Sequence, residues 1–355
     1  MTQTWCFGRR RALVALSLGV AGALAAGPGL ADSSAHAVIG TRVAASAATQ
    51  RPETVNKCHR SKIDVPSCGL LWGLYTQPVP SKAGYRSDYG RFERAIGRRF
   101  DIVKAYVDWQ QHVTFPSTKF ASLASHRRRI LYVSWNAINY DTHRVVYYRN
   151  IARGDYDKSV ILPEARRLKA YHQKIFVDFN HEFDAKAQSG KGGPASYVRA
   201  YRHIHRVFQK AGVKNVIWSW VSTGYVGNLK DIKASWPGAK YVDWVGYDPY
   251  NFAYCNDAKW RSPYASFHPF YAWLRRQPGM RHKPILLGEY ASAPGRHLGH
   301  WYASLASTLR RMPKIRALFQ WSAPTVEHCP VSLADSASAL KAFAKVSKAH
   351  YVTGR

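Results

Sequence analysis

Two glutamates in this chain stand directly after short apolar runs, and acidic residues are scarce enough to make that notable: 21 Asp and Glu among 355 residues. One run ends Phe179-Asn180-His181-Glu182, the other Leu286-Leu287-Gly288-Glu289-Tyr290. Two carboxyl groups facing one sugar ring can cleave a glycosidic bond with retention. One, protonated, assists the leaving oxygen; the other, ionised, attacks the anomeric carbon, and the two stand about 5–5.5 Å apart. Rim salt bridges to the abundant arginines are the competing use of such glutamates. Trp109, Trp135, Trp220 and Trp321 lie at or just beyond the ends of apolar runs, where an indole can stack on the apolar face of a pyranose or serve as core. Asn136 and Asn251 are candidate partners for sugar hydroxyls, with loop capping as the alternative.

These residues need a scaffold that brings distant segments to one rim. Eight apolar runs read as buried strands: 70–75, 102–107, 130–135, 175–179, 216–221, 242–247, 285–288 and 317–321. Helix-length amphipathic stretches alternate with them, among them 91–98, 161–171, 195–211, 267–277, 299–311 and 334–349. Eight alternations within about 300 residues predict an α/β fold, a single-domain (β/α)8 TIM barrel. A doubly wound sheet would bring a Gly-rich first loop, and no GxGxxG or Walker sequence follows the first run. In a barrel, side chains that do chemistry sit at the C-terminal strand ends, which puts Glu182 and Glu289 on one rim.

The N-terminus has Arg9, Arg10 and Arg11 ahead of an apolar stretch from Ala12 to about Gly29, with small-residue cleavage candidates near Ala31 and Ala37. This reads as a secretory signal over 1–31 and a secreted, extracellular protein rather than a membrane anchor. Residues 32–56, rich in Ala, Ser and Thr, read as a disordered leader, and the catalytic domain occupies 57–355. Outside the signal four cysteines remain, an even count that suggests two disulfides. Of three connectivities, Cys58 with Cys68 is favoured by their closeness in sequence, leaving Cys255 with Cys329. No CxxC spacing supports a zinc site, although His328 adjoins Cys329. The formal charge of +31 points to anionic surroundings, acidic cell-envelope polymers or an acidic polysaccharide. The densest basic run is only Arg127-Arg128-Arg129, and no nucleic-acid module is visible, so nucleic acid is not expected as a partner.

With those motifs in place, the chain resembles glycoside hydrolase family 26 from about Trp72 to Trp321. The matching segments are Trp72-Gly73-Leu74-Tyr75, Ile102-Val103-Lys104 to Trp109, Tyr132-Val133-Ser134-Trp135, and Ile151 to Asp157. The strongest are His181-Glu182-Phe183-Asp184, Asp243 to Asn251 and Gly288-Glu289. The resemblance implies Glu182 as acid/base, Glu289 as nucleophile and His181 as the neighbour that orients groups at the cleaved linkage. It also implies that Tyr250, or else Tyr247, hydrogen-bonds the nucleophile, and that Trp321 lies beneath the sugar being cleaved. No metal or organic cofactor is required, and a monomer without a stable membrane span is expected.

The chain departs from the pattern at two places. Where mannan-cleaving relatives carry an Arg three residues before the His, it has Asp178. Where they follow the Glu with Met-Asn-Gly, it has Phe183-Asp184-Ala185. A carboxyl at 178 near Glu182 would raise the acid's pKa by like-charge repulsion. The expectation is an endo-acting β-glycanase on polysaccharide, β-1,4-mannan first. A β-glucanase or xylanase of the same family, or a non-catalytic carbohydrate-binding envelope protein, are the alternatives.

Overall fold

The computed structural model describes residues 58–76, 85–109, 129–255, 259–323, 325–326 and 329–354. The signal and leader read over 1–56, and His328, Arg127 and Arg128, lie outside the described residues.

Eight parallel strands form the centre: β1 (Leu71–Thr76), β2 (Ile102–Val107), β3 (Ile130–Trp135), β4 (Ile175–Phe179), β5 (Val216–Ser222), β6 (Trp244–Tyr247), β7 (Ile285–Ser292) and β8 (Ile315–Ser322). Each pairs with the next, and β1 pairs with β8 from Leu71–Ala317 to Thr76–Ser322, so the sheet closes on itself. Surrounding helices complete the (β/α)8 barrel read from the sequence. Five of the eight predicted runs match a strand to within a residue at each end. The exceptions run longer or shorter: β7 continues to Ser292, β8 starts at Ile315, and β6 begins at Trp244 rather than 242. The predicted helix at 299–311 is two, Leu298–Ala303 and Leu305–Arg310, and the one at 91–98 starts at Tyr85 and ends at Ile96.

Strand parity sorts the side chains into two cores. Inside the barrel lie Leu71, Ile102, Ile130, Tyr132, Phe176, Ile217, Val221, Trp244, Leu286, Ala317 and Phe319. Residues of the opposite parity, such as Val103, Val133, Trp135, Val177, Trp218 and Leu287, meet the helices. The helix Pro194–Lys210 shows the complementary pattern: Tyr197, Ala200, Tyr201, Ile204, Val207 and Phe208 are buried, one stripe at helical spacing. Each large apolar side chain so buried contributes about 1.5–3 kcal/mol. Two disulfides have the pairing favoured above, Cys58–Cys68 and Cys255–Cys329, the second joining the loops after β6 and β8. No described helix is long and apolar enough to cross a membrane.

The barrel interior leaves no room at Gly73 of β1. A Cβ there would stand 2.6 Å from Phe319, 2.9 Å from Ile102 and 2.9 Å from the Leu318 carbonyl. Gly73→Ala is therefore expected to destabilise by about 1–3 kcal/mol. A fall of roughly 2–4 °C in thermal midpoint per kcal/mol would be read by calorimetry, and an unchanged midpoint would contradict this packing.

Candidate active site

Glu182 reaches the rim through a strained turn. After β4, Asn180 and Glu182 take φ of 52° and 51°, left-handed values that cost a non-glycine residue about 1–3 kcal/mol and persist only when surroundings impose them. Here they do. The Asn180 side chain accepts from the Ala137 N–H (3.1 Å) and from Lys191 Nζ (2.8 Å), and donates to the Tyr148 hydroxyl (2.8 Å) and Gln188 (3.2 Å). The Glu182 N–H donates to the Val221 carbonyl at 2.9 Å. Asp184 accepts from the Thr223 N–H (2.9 Å) and from Asn228 Nδ2 (3.1 Å). The turn is thus tied to the chain on both sides of it.

Glu289 is placed by an irregularity of β7. The register with β8 shifts between Leu287 and Tyr290, and such a bulge re-aims one side chain. By simple alternation Gly288 would share the inward parity of Leu286 and Glu289 would face the helices. Instead the Glu289 carboxylate meets the inward residues of β2. Gly288 supplies the space, because a Cβ there would lie 2.5 Å from Asp248 Oδ1.

Four groups contact that carboxylate. Tyr250 OH donates to Oε2 at 2.5 Å and Tyr106 OH donates to Oε1. Lys104 Nζ, wholly buried, lies 3.3 Å from Oε1 while donating to the Gly288 carbonyl at 2.9 Å. His181 Nε2 is 3.6 Å away. Burial pushes the Glu289 pKa up, but the Lys104 ammonium and the two phenol hydrogen bonds outweigh it and hold it below the ordinary carboxylate value. Burial and the nearby carboxylate raise both phenols well above their usual value, so they remain donors. Glu289 is an ionised carboxylate held by donors.

His181 is neutral: burial, then Lys104, lowers its pKa to about 3. Its Nδ1 stands 3.1 Å from Asn136 Oδ1, which assigns the single proton to Nδ1 and leaves Nε2 as an acceptor.

Glu182, Asp248 and Glu289 each place a carboxyl oxygen within 4.8 Å of the other two. Asp248 is buried with neither oxygen in a well-formed hydrogen bond. Burial, then Glu289, pushes its pKa far up, which favours its protonated form. Asp178, also fully buried, is pushed by burial to about 8 against the lowering effect of Lys104. Asp178 faces Lys104 and Tyr132 in the barrel interior, where the sequence had suggested an influence on Glu182. An all-oxygen trio could take a hard cation, but the Lys104 ammonium already provides positive charge against Glu289.

Trp321 stacks on Tyr75 at 4.2 Å and meets Tyr106 edge-on at 5.9 Å, forming an aromatic wall beside Glu289. The other predicted sugar contacts are not brought to it. Trp109 and Trp135 stack on each other at 4.4 Å and are 4% and 1% exposed. Trp135 Nε1 donates to the Asp108 carbonyl; outward parity puts it in the layer between barrel and helices. Trp220, equally buried, donates to the Ser235 carbonyl. Tyr247 gives its hydroxyl to the Phe267 carbonyl at 2.7 Å, so of the two tyrosines it is Tyr250 that contacts Glu289. Asn251 bonds Ser292 and the Arg261 N–H, a loop brace, whereas Asn136 holds His181. Lys104, Tyr106 and Asp248 were not singled out from sequence. The signal was present for the first two: residues 102, 104 and 106 share a face, and a lysine inside an apolar run needs a buried partner.

The family model described as Glycosyl hydrolase family 26 matches residues 183–271, a span that starts one residue past Glu182 and stops short of Glu289. Endoglucanase H of Acetivibrio thermocellus is 27% identical over 251 residues, covering 68% of this chain but 26% of that protein, about a quarter of its length. Among solved structures, a ruminal GH26 endo-β-1,4-mannanase superposes with a TM-score of 0.56 at 16% identity, over 80% of this chain and 64% of that one. A GH26 β-mannanase from Bacteroides ovatus gives 0.57 at 13% identity, over 80% and 89%. At such identities the structures speak to the fold.

Lys104 keeps Glu289 ionised, so Lys104→Met is expected to raise the pH at which Glu289 loses its proton. Activity that depends on ionised Glu289 would then have its acidic limb moved to higher pH, by roughly 1–3 units. A profile with an unmoved acidic limb would show that the ammonium does not set this charge.

Proposed function

We propose, for a chain that belongs to glycoside hydrolase family 26, an endo-acting β-glycanase that cleaves with retention of anomeric configuration. Glu289 attacks the anomeric carbon while Glu182 protonates the departing oxygen. Glu182 then takes a proton from the water that releases the glycosyl-enzyme. The observation that carries this reading is the closeness of the carboxyls, oxygens within 4.8 Å. Retaining enzymes keep the pair about 5–5.5 Å apart, whereas inverting ones leave about 6.5–9.5 Å for a water. The assignment of the nucleophile is supported by the ring of donors around Glu289, which stabilises its anion.

Tyr250, Tyr106 and Lys104 hold the nucleophile, His181 offers an acceptor beside it, and Trp321 with Tyr75 forms the platform for the sugar. The substrate put forward is a β-1,4-mannan-type polysaccharide, in keeping with the mannanases among the structural neighbours. Endoglucanase H as a relative keeps β-glucan next in line, with xylan after it. The protein is taken to be secreted as a monomer: the N-terminal segment reads as a signal, and two disulfides fit an oxidising compartment.

Wild type should release reducing ends from at least one of mannan, lichenan, xylan or an acidic β-glycan, and Glu182→Ala and Glu289→Ala should each lose that activity by several orders of magnitude. With Glu289→Ala, azide should restore turnover of an activated aryl glycoside and give a glycosyl azide of inverted configuration, since the vacated space faces the anomeric carbon. Binding of a glycan without release from any substrate would favour the non-catalytic reading. Azide rescue independent of position 289 would move the nucleophile elsewhere.

A further inference from the structure

The rim beyond β6 and β7 carries a surface that the cleavage chemistry does not use. Past Tyr250 and Asn251, which pair with Ala291 and Ser292, the chain reaches Tyr254, 59% exposed and at φ 65°. A tyrosine in left-handed backbone is strained, and two constraints hold it. The adjacent Cys255 is joined to Cys329. The ring lies over Gly295, where a Cβ would come within 2.5 Å of a ring carbon, so any side chain there would displace it. An exposed ring fixed in this way adds little burial, but it is a ready stacking face for a pyranose.

The two loops that carry Tyr254 and Gly295 also carry exposed basic residues. Trp260 is 36% exposed, with its ring 5.7 Å from that of His297. Arg261 has its backbone fixed, N–H to Asn251 Oδ1 and carbonyl to Trp301 Nε1, while the residue is exposed. Lys259 and Arg296 are exposed as well, and Arg296 Nε bonds His297 Nε2 at 3.0 Å. Among the described residues of these two loops after Tyr250, none is Asp or Glu; the sequence has one acid there, Asp257, against the four basic residues Lys259, Arg261, Arg296 and His297. The overall charge of +31 draws any polyanion without direction. Rigid aromatic rings beside arginines add direction, because a guanidinium pairs with a carboxylate in a fixed fork.

We infer that this rim binds an acidic stretch of glycan, with Tyr254 and Trp260 stacking sugar faces and Lys259, Arg261 and Arg296 pairing with uronate carboxylates beyond the bond being cleaved. The inference rests on the β-glycanase reading and names a substrate class for it.

The test uses the full chain carrying Glu289→Ala, so that binding is read without turnover, and two probes on a β-1,4 backbone: polymannuronate and mannan oligosaccharides of equal length. In about 150 mM salt, which screens distant charges, polymannuronate should bind about tenfold tighter or more. Tyr254→Ala, and Lys259→Ala/Arg261→Ala/Arg296→Ala together, should each remove most of that preference, whereas Tyr254→Phe should keep it. The control Arg199→Ala/Lys210→Ala/Lys345→Ala removes equal charge from exposed helix positions and should leave the preference nearly intact. Equal losses from the two triple variants, or no preference at all, would overturn the inference. Hydrolysis by the wild type is scored separately, so absence of turnover with an intact preference sinks the cleavage reading and leaves the rim site standing.

Discussion

The ammonium of Lys104 is what the site depends on. It is wholly buried, against the Gly288 carbonyl and the Glu289 carboxylate, in an interior that also holds Asp178 and Asp248. Three acids and one cation cannot all be charged there, since isolated charges away from water are expensive. The arrangement resolves itself by distance and by hydrogen bonding. Glu289, nearest to the ammonium and held by two phenols, is favoured as the anion, while burial favours the protonated forms of Asp178 and Asp248. A carboxylate that is ionised, desolvated and already oriented by fixed donors needs little rearrangement to react.

Positioning of the two glutamates costs regular structure on both strands that carry them. Glu182 follows a turn with two left-handed residues, and Glu289 sits where the β7–β8 register slips. Neither deviation would persist alone. The first is held by the amide of Asn180, which makes four hydrogen bonds to the two loops that flank it; the second by the absence of a side chain at Gly288 and by the grip of Lys104 on the Gly288 carbonyl. Strain of this kind collects where function requires a geometry that regular pairing does not provide.

Much of this was legible in the sequence, and the reasons differ by residue. Eight apolar runs and the helical stretches between them sufficed for the barrel, because parallel strands covered on both faces read as continuous apolar segments. Glu182 and Glu289 stood out because charge at the end of such a run is expensive unless used. Trp135 and Trp220 were drawn into the site by nearness to strand ends alone, and Tyr247 by the family resemblance. Parity would have removed them: 132 and 134 face in with 176 and 178, which turns 135 outward, and Tyr247 neighbours the inward Gly246. The same parity, applied to 102, 104 and 106, would have added Lys104 and Tyr106. The bulge at Glu289 is the part no periodicity argument yields, since alternation counted from Leu286 points that side chain at the helices.

Asp178 shows how one position can redirect the electrostatics of a site. Where the family resemblance implies an arginine on the fourth strand, this chain has an acid, pushed by burial to about 8. The positive charge beside Glu289 comes from β2, as Lys104. A carboxylate responds to a positive charge at short range whichever strand supplies it, so Lys104 by itself can balance Glu289. At position 178 the barrel interior holds a carboxyl rather than a planar five-donor group. The charge on Glu289 is thus set by its short-range neighbours Lys104, Tyr106 and Tyr250, while Asp178 lies buried in the same interior.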